Sequence, residues 1–213
     1  MSKSLIALLL VLVGLISGQE LKPVALPTPQ TSGGKPLMQV LKERKSVRDF
    51  GSEALSRQTI SNLLWAAWGV NREDGRRTAP SASNRQEIDV YVVMADGAYL
   101  YDAPANTLKP VSPGDLRKFA GTQAYVAGAP LNLVYVADTA KLAGDDAAKL
   151  ATANADTGFI AQNVYLFCAS EGLGTVVRGS VNRDDLGKAL NLRAGQRITL
   201  AQSVGYARKS AGN

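Results

Sequence analysis

The sequence predicts an α+β domain: an antiparallel or mixed sheet with helices packed against it. Three observations carry that expectation. The candidate elements run as two helices, a hairpin, a short helix, a strand, a long helix, a helix and a strand, which is not the regular strand–helix alternation that builds a parallel sheet. No Gly-x-Gly-x-x-Gly follows a strand, and Gly172-Leu173-Gly174 follows a helix instead, which argues against a doubly wound dinucleotide fold. Finally, Asp156 to Ser170 reads as one helix, apolar nearly all the way round, with only Gln162 and Asn163 polar in its middle. Such a helix has no face for water and should be buried.

Taken in order, residues 1–18 read as a targeting segment. Lys3 supplies a positive start, and Leu5 to Ile16 is an apolar run of twelve, the size of a signal core and short for a membrane span. Ser17 and Gly18 offer small residues before a cut ahead of Gln19. No cysteine follows and no twin arginine precedes, so export would use the general route, to the periplasm or outside, with no stable membrane insertion after cleavage. An uncleaved membrane anchor is the second reading. Residues 19–36 carry Pro23, Pro27, Pro29, Pro36 and Gly33-Gly34, which excludes helix and central strand and predicts an extended arm or linker. A folded domain spans 37–213.

Leu37 to about Lys45 is a first helix. Ser56 caps a second, with Leu55 and Ile60 placed as a hydrophobic staple. Ile60, Leu63, Leu64, Ala67 and Trp68 form its core stripe, and Gly69 stops it. Ile88 to Met94 and Ala98 to Tyr101 form a hairpin turning at Asp96-Gly97. Ser112-Pro113-Gly114-Asp115 opens a short helix through Phe119. Leu131 to Ala137 is a strand. Thr139 to Leu150, alanine-rich and polar, is an exposed helix or a mobile segment. Gly172 ends the long helix in a left-handed turn, and Thr175-Val176-Val177 is extended. Asn182 caps a helix from Arg183 to Leu190, with Asp184 and Asp185 in its first turn. Arg197 to Tyr206 is the last strand.

Composition removes several function classes. The chain has 213 residues, a formal charge of +6 and no histidine. Histidine triads, histidine bases and nearly all usual zinc or non-haem iron sites are therefore out. The one cysteine, Cys168, permits neither an intrachain disulfide nor a cysteine metal cluster. Basic residues are not interleaved with aromatics, so the positive charge does not argue for nucleic acid. Three cations and a hydroxyl fall within Arg44-Lys45-Ser46-Val47-Arg48. They read either as charge suited to a helix end or as an anion site, since Arg offers a fork to phosphate oxygens. The run Pro80 to Gln86 is rich in hydroxyls and amides that can donate and accept.

Four separated segments resemble the flavin-dependent nitroreductase family, in the right order and spacing. They are Arg44 to Arg48, Pro80-Ser81-Ala82-Ser83-Asn84-Arg85-Gln86, Asp156 to Gly179, and Gly205-Tyr206 followed by basic residues. Within that family, Gly75-Arg76-Arg77-Thr78-Ala79-Pro80-Ser81, Val90-Tyr91-Val92-Val93 and Gly97 to Asp102 are similar to the SagB-type dehydrogenases, which oxidise azolines to azoles in modified peptides. The resemblance implies a nitroreductase-like fold, FMN bound without a covalent link, and an intertwined homodimer. It implies that Arg44, Lys45, Ser46 and Arg48 contact the flavin phosphate, ribityl chain and N1/O2 edge. Ser81, Asn84 and Gln86 would bond the pyrimidine side. The turn Val177-Arg178-Gly179 would place a backbone N–H at flavin N5, and Arg208 or Lys209 would close on the phosphate. A cation near N1/O2 favours the anionic reduced flavin, and a donor at N5 tunes hydride transfer. Arg178 stands where many nitroreductases carry an acid, and is expected to face a small-molecule or peptide substrate. Export argues against NAD(P)H as the electron donor. An NAD(P)H-dependent nitro or quinone reductase and a flavin-binding protein without turnover are the alternative readings.

Overall fold

The computed structural model describes residues 20–208. Its strands are β1 (Val24–Ala25), β2 (Ile88–Val93), β3 (Gly97–Asp102), β4 (Thr107–Pro113), β5 (Leu131–Asp138), β6 (Leu173–Arg178) and β7 (Gln196–Tyr206). Its helices are α1 (Leu37–Glu43), α2 (Arg57–Trp68), α3 (Tyr125–Gly128), α4 (Asp146–Glu171) and α5 (Arg183–Ala189). The strands form one sheet in the order β1-β4-β3-β2-β5-β7-β6, and every neighbouring pair is antiparallel. The α+β class expected from the sequence is the class observed, and the choice between antiparallel and mixed falls to antiparallel.

Both faces of the sheet are covered. Val90, Val92, Leu133 and Tyr135 pack with Leu63, Leu64 and Ala67 of α2 and Ile160, Val164 and Cys168 of α4. Their immediate neighbours Tyr91, Val93, Val134 and Val136 pack on the opposite side with Leu186 and Leu190. Successive side chains of a strand point to opposite faces. A strand buried on both faces therefore reads as an unbroken apolar run, as β5 does.

The long helix departs from expectation in two ways. It begins at Asp146, where the Asp145 carboxylate accepts the Ala148 amide at 2.8 Å, so the second half of the segment read as an exposed helix or a mobile segment is helical, largely exposed and continuous with α4. The first part, Thr139–Lys141, is a 3-10 turn. Nor is α4 enclosed by the chain: Phe159 is 49% exposed and Leu150 43%. At its end Gly172 takes φ 71° as expected. Gly69 ends α2 as expected, but with φ −71° and not in a left-handed turn. It is glycine for space, because a Cβ there would collide with Trp65.

β4 replaces the first part of the helix expected from Ser112 to Phe119, leaving a 3-10 turn at Arg117–Phe119. Pro110 and Pro113 make this stretch read as a break. They are tolerated because β1 covers β4 only opposite Thr107 and Leu108, leaving the rest an edge where a missing N–H costs little. The proline-rich arm is seated on the domain. Val24 and Ala25 pair with β4, Gln30 donates its amide to Asn62 on α2, and Lys35 donates its amide to Ser170 on α4. The targeting segment 1–18 lies outside the described residues.

Candidate functional site

The segment Arg44–Arg48 is laid along β6, the free edge of the sheet. The Val47 amide donates to the Thr175 carbonyl at 2.9 Å. A Cβ on Gly174 would meet the Val47 side chain at 2.8 Å, so glycine lets the segment lie flat on the strand. Beyond it, Phe50 bridges to Ala207, Gly51 donates to the Tyr206 carbonyl, and Arg208 donates its amide to the Asp49 carbonyl at 3.0 Å. These backbone bonds bring Arg44, Lys45, Ser46, Arg48 and Arg208 onto one strip. Lys45, Ser46, Arg48 and Arg208 are exposed, and Arg44 is half-buried. The Arg208 guanidinium pairs with Asp49 at 2.9 Å. Lys209 lies outside the described residues.

Tyr165 of α4 organises the strip; nothing in the sequence singles it out, since it stands among core residues of the helix. The Arg44 guanidinium lies 5.1 Å over its ring. Its hydroxyl accepts the Val177 amide at 3.0 Å and sits 2.8 Å from the Ser46 hydroxyl. Because it accepts from Val177, it can donate its own proton to Ser46. Val177 is half-buried and Gly179 exposed, just past the end of β6. A recess of about 460 Å³ opens here, lined by Lys45, Val47, Tyr165, Thr175 and Ala207 among others.

Arg178 is not where the sequence reading expected it. Its side chain is 6% exposed. It donates to Ser203 Oγ at 2.8 Å, to the Ala120 carbonyl at 2.8 Å and to Asn132 Oδ1 at 2.9 Å. Adjacent residues of β6 face opposite sides, so Val177 shares the side of α4 and Arg178 is sent to the other, away from any open surface. Burial pulls its pKa down to about 10, still well above neutrality. In the single chain its guanidinium is committed to β5, β7 and the Ala120 carbonyl and does not reach open surface.

The loop Pro80–Gln86 lies elsewhere. Ser83, Asn84 and Gln86 all take positive φ (51°, 52° and 48°), which non-glycine residues adopt at a cost. Surrounding bonds fix this shape. Ser81 Oγ accepts the Gln86 amide at 3.0 Å. Arg77 Nε donates to Gln86 Oε1 at 2.8 Å, and Gln86 Nε2 donates to Asn84 Oδ1 at 3.1 Å. Asp156 Oδ2 accepts the Ala82 amide at 2.8 Å. Asn84 is exposed, while Ser81 and Gln86 are half-buried.

One chain therefore presents the expected residues as two separate groups. The cationic strip meets α4 at Tyr165 and the loop meets it at Asp156. Nine residues of helix, roughly 13 Å of axial rise, separate the two. The strip suits an anionic nucleotide: guanidinium forks, an ammonium and a hydroxyl lie along a glycine-smoothed strand, and the recess beside it is lined by Lys35, Lys45 and Glu43. No group of three or more His, Cys, Asp or Glu residues that could hold a metal ion occurs among the described residues.

Comparison with known proteins agrees with this frame. A crystal structure of a candidate nitroreductase from Ralstonia eutropha superposes with a TM-score of 0.85 at 40% identity, covering 91% of this chain and 93% of that one. A candidate nitroreductase from Desulfovibrio desulfuricans, solved in complex with FMN, has the same fold at 22% identity, TM-score 0.61, covering 85% and 92%. A curated candidate nitroreductase from Methanocaldococcus jannaschii is 31% identical over 170 residues, 74% of this chain and 85% of that protein. The fold is thus the nitroreductase-like α+β fold. The nitroreductase family model matches residues 41–206, and the chain belongs to that family.

Proposed function

We propose that this chain is an FMN-dependent oxidoreductase that works as a homodimer. The observation that carries the proposal is the cationic strip zipped onto β6 and β7, with Tyr165 joining Ser46 to the Val177 amide. Arg44, Lys45, Arg48 and Arg208 would hold the FMN phosphate, ribityl chain and N1/O2 edge. Ser81, Asn84 and Gln86 would bond the pyrimidine side. The separation of the two groups along α4 supports a site completed by the loop of a second copy. FMN supplies hydride transfer at its N5. The chain's own part is to bind the phosphate, to place cationic charge at the N1/O2 edge, and to present the backbone from Val177 to Gly179 beside N5. A small organic or peptide substrate of the kind SagB-type dehydrogenases oxidise is the finer reading, supported by the run Gly75 to Ser81. Export through residues 1–18 favours an organic substrate or a quinone over NAD(P)H as the redox partner.

The test is the absorbance spectrum of the protein purified from its native compartment. The expected result is a bound flavin spectrum that dithionite bleaches promptly and NADPH bleaches slowly. A colourless protein that takes up no added FMN overturns the cofactor. Rapid saturable bleaching by NADPH selects the nitro or quinone reductase reading. Arg44→Ala and Arg208→Ala should each weaken FMN binding, by about 1.5–3 kcal/mol where a charge-assisted bond is lost. Calorimetric titration of the apoprotein measures it.

A further inference from the structure

The buried acid Glu87 has no role in the site as described. It is 0% exposed, and neither carboxylate oxygen has a hydrogen-bond donor from another of the described residues. A buried ionised carboxylate without donors is strongly disfavoured. Its acidic neighbour is Asp156, 4% exposed, whose Oδ2 already takes the Ala82 amide. The cations nearby are occupied otherwise. Lys141 Nζ donates to the Gln86 carbonyl at 3.0 Å, Arg85 to the Lys141 carbonyl at 3.0 Å, and Arg77 to Gln86 Oε1. Asp89, two residues along β2, accepts from Gln196.

We infer that Glu87 is protonated and donates to Asp156, and that this buried acid contact is the clasp that fixes the strained loop Pro80–Gln86 in its flavin-binding shape. Both are positioning residues, and the inference rests on the FMN reading above. The geometry puts the pair at both ends of the loop: Asp156 ties its start at Ala82, and Glu87 is the residue at which it re-enters the sheet. With one proton present, Glu87 donates to Asp156 and Asp156 keeps its free oxygen for the Ala82 amide. Without it, two anions share a buried site. They must part or admit water, and either change loosens Ala82 and the three left-handed residues that depend on it.

The direction of titration agrees. Burial pushes the Glu87 carboxyl up to about 7 from 4.5; its own backbone amide opposes this, the Asp156 carboxylate adds to it, and Lys141 opposes it. The folded state therefore holds a proton that the unfolded chain has lost. The stability this group contributes is full below about 4.5, falls as the pH rises through about 7, and is level above that.

FMN titration of wild type and Glu87→Gln from about pH 5.5 to about 8.5 tests the clasp. Gln keeps the shape and a donor for Asp156 but cannot ionise. Wild-type affinity should fall above pH 7, by up to about tenfold per pH unit for one linked proton, while the variant loses that slope. The phosphate's own titration is common to both proteins and cancels. Equal slopes overturn the inference. If Glu87→Gln fails to fold, Asp156→Asn serves: removing the neighbouring charge should move the midpoint of the fall to lower pH, and an unmoved midpoint overturns it. Hydrogen exchange of the Ala82 amide in the apoprotein, corrected for intrinsic rate, separates this from the cofactor reading. If no FMN binds at any pH, that reading fails, and exchange alone decides the clasp. Wild-type protection should drop above pH 7, and constant protection overturns it.

Discussion

A single tyrosine ties three parts of the site. Tyr165 takes the Val177 amide, meets Ser46 and lies under Arg44. Tyr165→Phe should leave the Val177 amide without a partner, a loss of about 1–3 kcal/mol in urea unfolding, and should weaken FMN binding without changing the fold. Arg178 makes the opposite kind of point. Its three acceptors are neutral and buried, so Arg178→Glu should lower the melting temperature sharply, with the loss seen in the flavin-free protein too. An effect confined to turnover would restore it to the substrate side. The sequence could not place Arg178, because β6 is covered on both faces and the order Val-Val-Arg carries no polar alternation to tell them apart. The residues of the strip were legible because four charged or hydroxyl-bearing positions in five are hard to account for by packing. Glu87 and Asp156 were not, since their pairing is a contact between positions far apart in the chain.

At the scale of elements, two glycines end helices for different reasons. Gly172 sits at φ 71° with nothing within 4 Å of where a Cβ would stand. Gly172→Ala should therefore cost only conformation, about 1 kcal/mol, and Gly172→Asn less, measured by urea titration. Gly69→Ala should cost more despite its ordinary φ, because the Cβ meets the Trp65 ring and backbone. Helices with a clear stripe and cap were legible: α2 begins after Ser56, which accepts the Thr59 amide at 3.0 Å, and α5 after Asn182, which accepts the Asp185 amide. β4 was hidden by its two prolines. The start of α4 was hidden by alanine and polar residues, because the first turns of that helix lie partly in solvent and carry no apolar stripe.

At the scale of the molecule, the exposed apolar residues gather on two helices. Leu37, Met38 and Leu41 on α1 are 60%, 76% and 46% exposed, and Phe159 and Leu150 on α4 remain open as well. Apolar surface of this kind marks an interface, and the divided site gives a second copy a reason to cover it. Light scattering at micromolar concentration should give a dimer. Leu41→Glu with Phe159→Glu should give a monomer that has lost most of its flavin affinity, whereas a monomeric wild type with FMN bound would rule the arrangement out.

The arm also fixes how the molecule would hang from anything attached ahead of it. Val24 and Ala25 add to the sheet beyond β4, at the edge opposite β6. Six strand spacings of about 4.8 Å, roughly 29 Å, lie between that edge and β6, on whose outer side the cationic strip is laid. A tether entering through Glu20 would thus grip the protein by its back. Were residues 1–18 kept as an anchor, the point of attachment and the cationic strip would stand at opposite edges of the sheet.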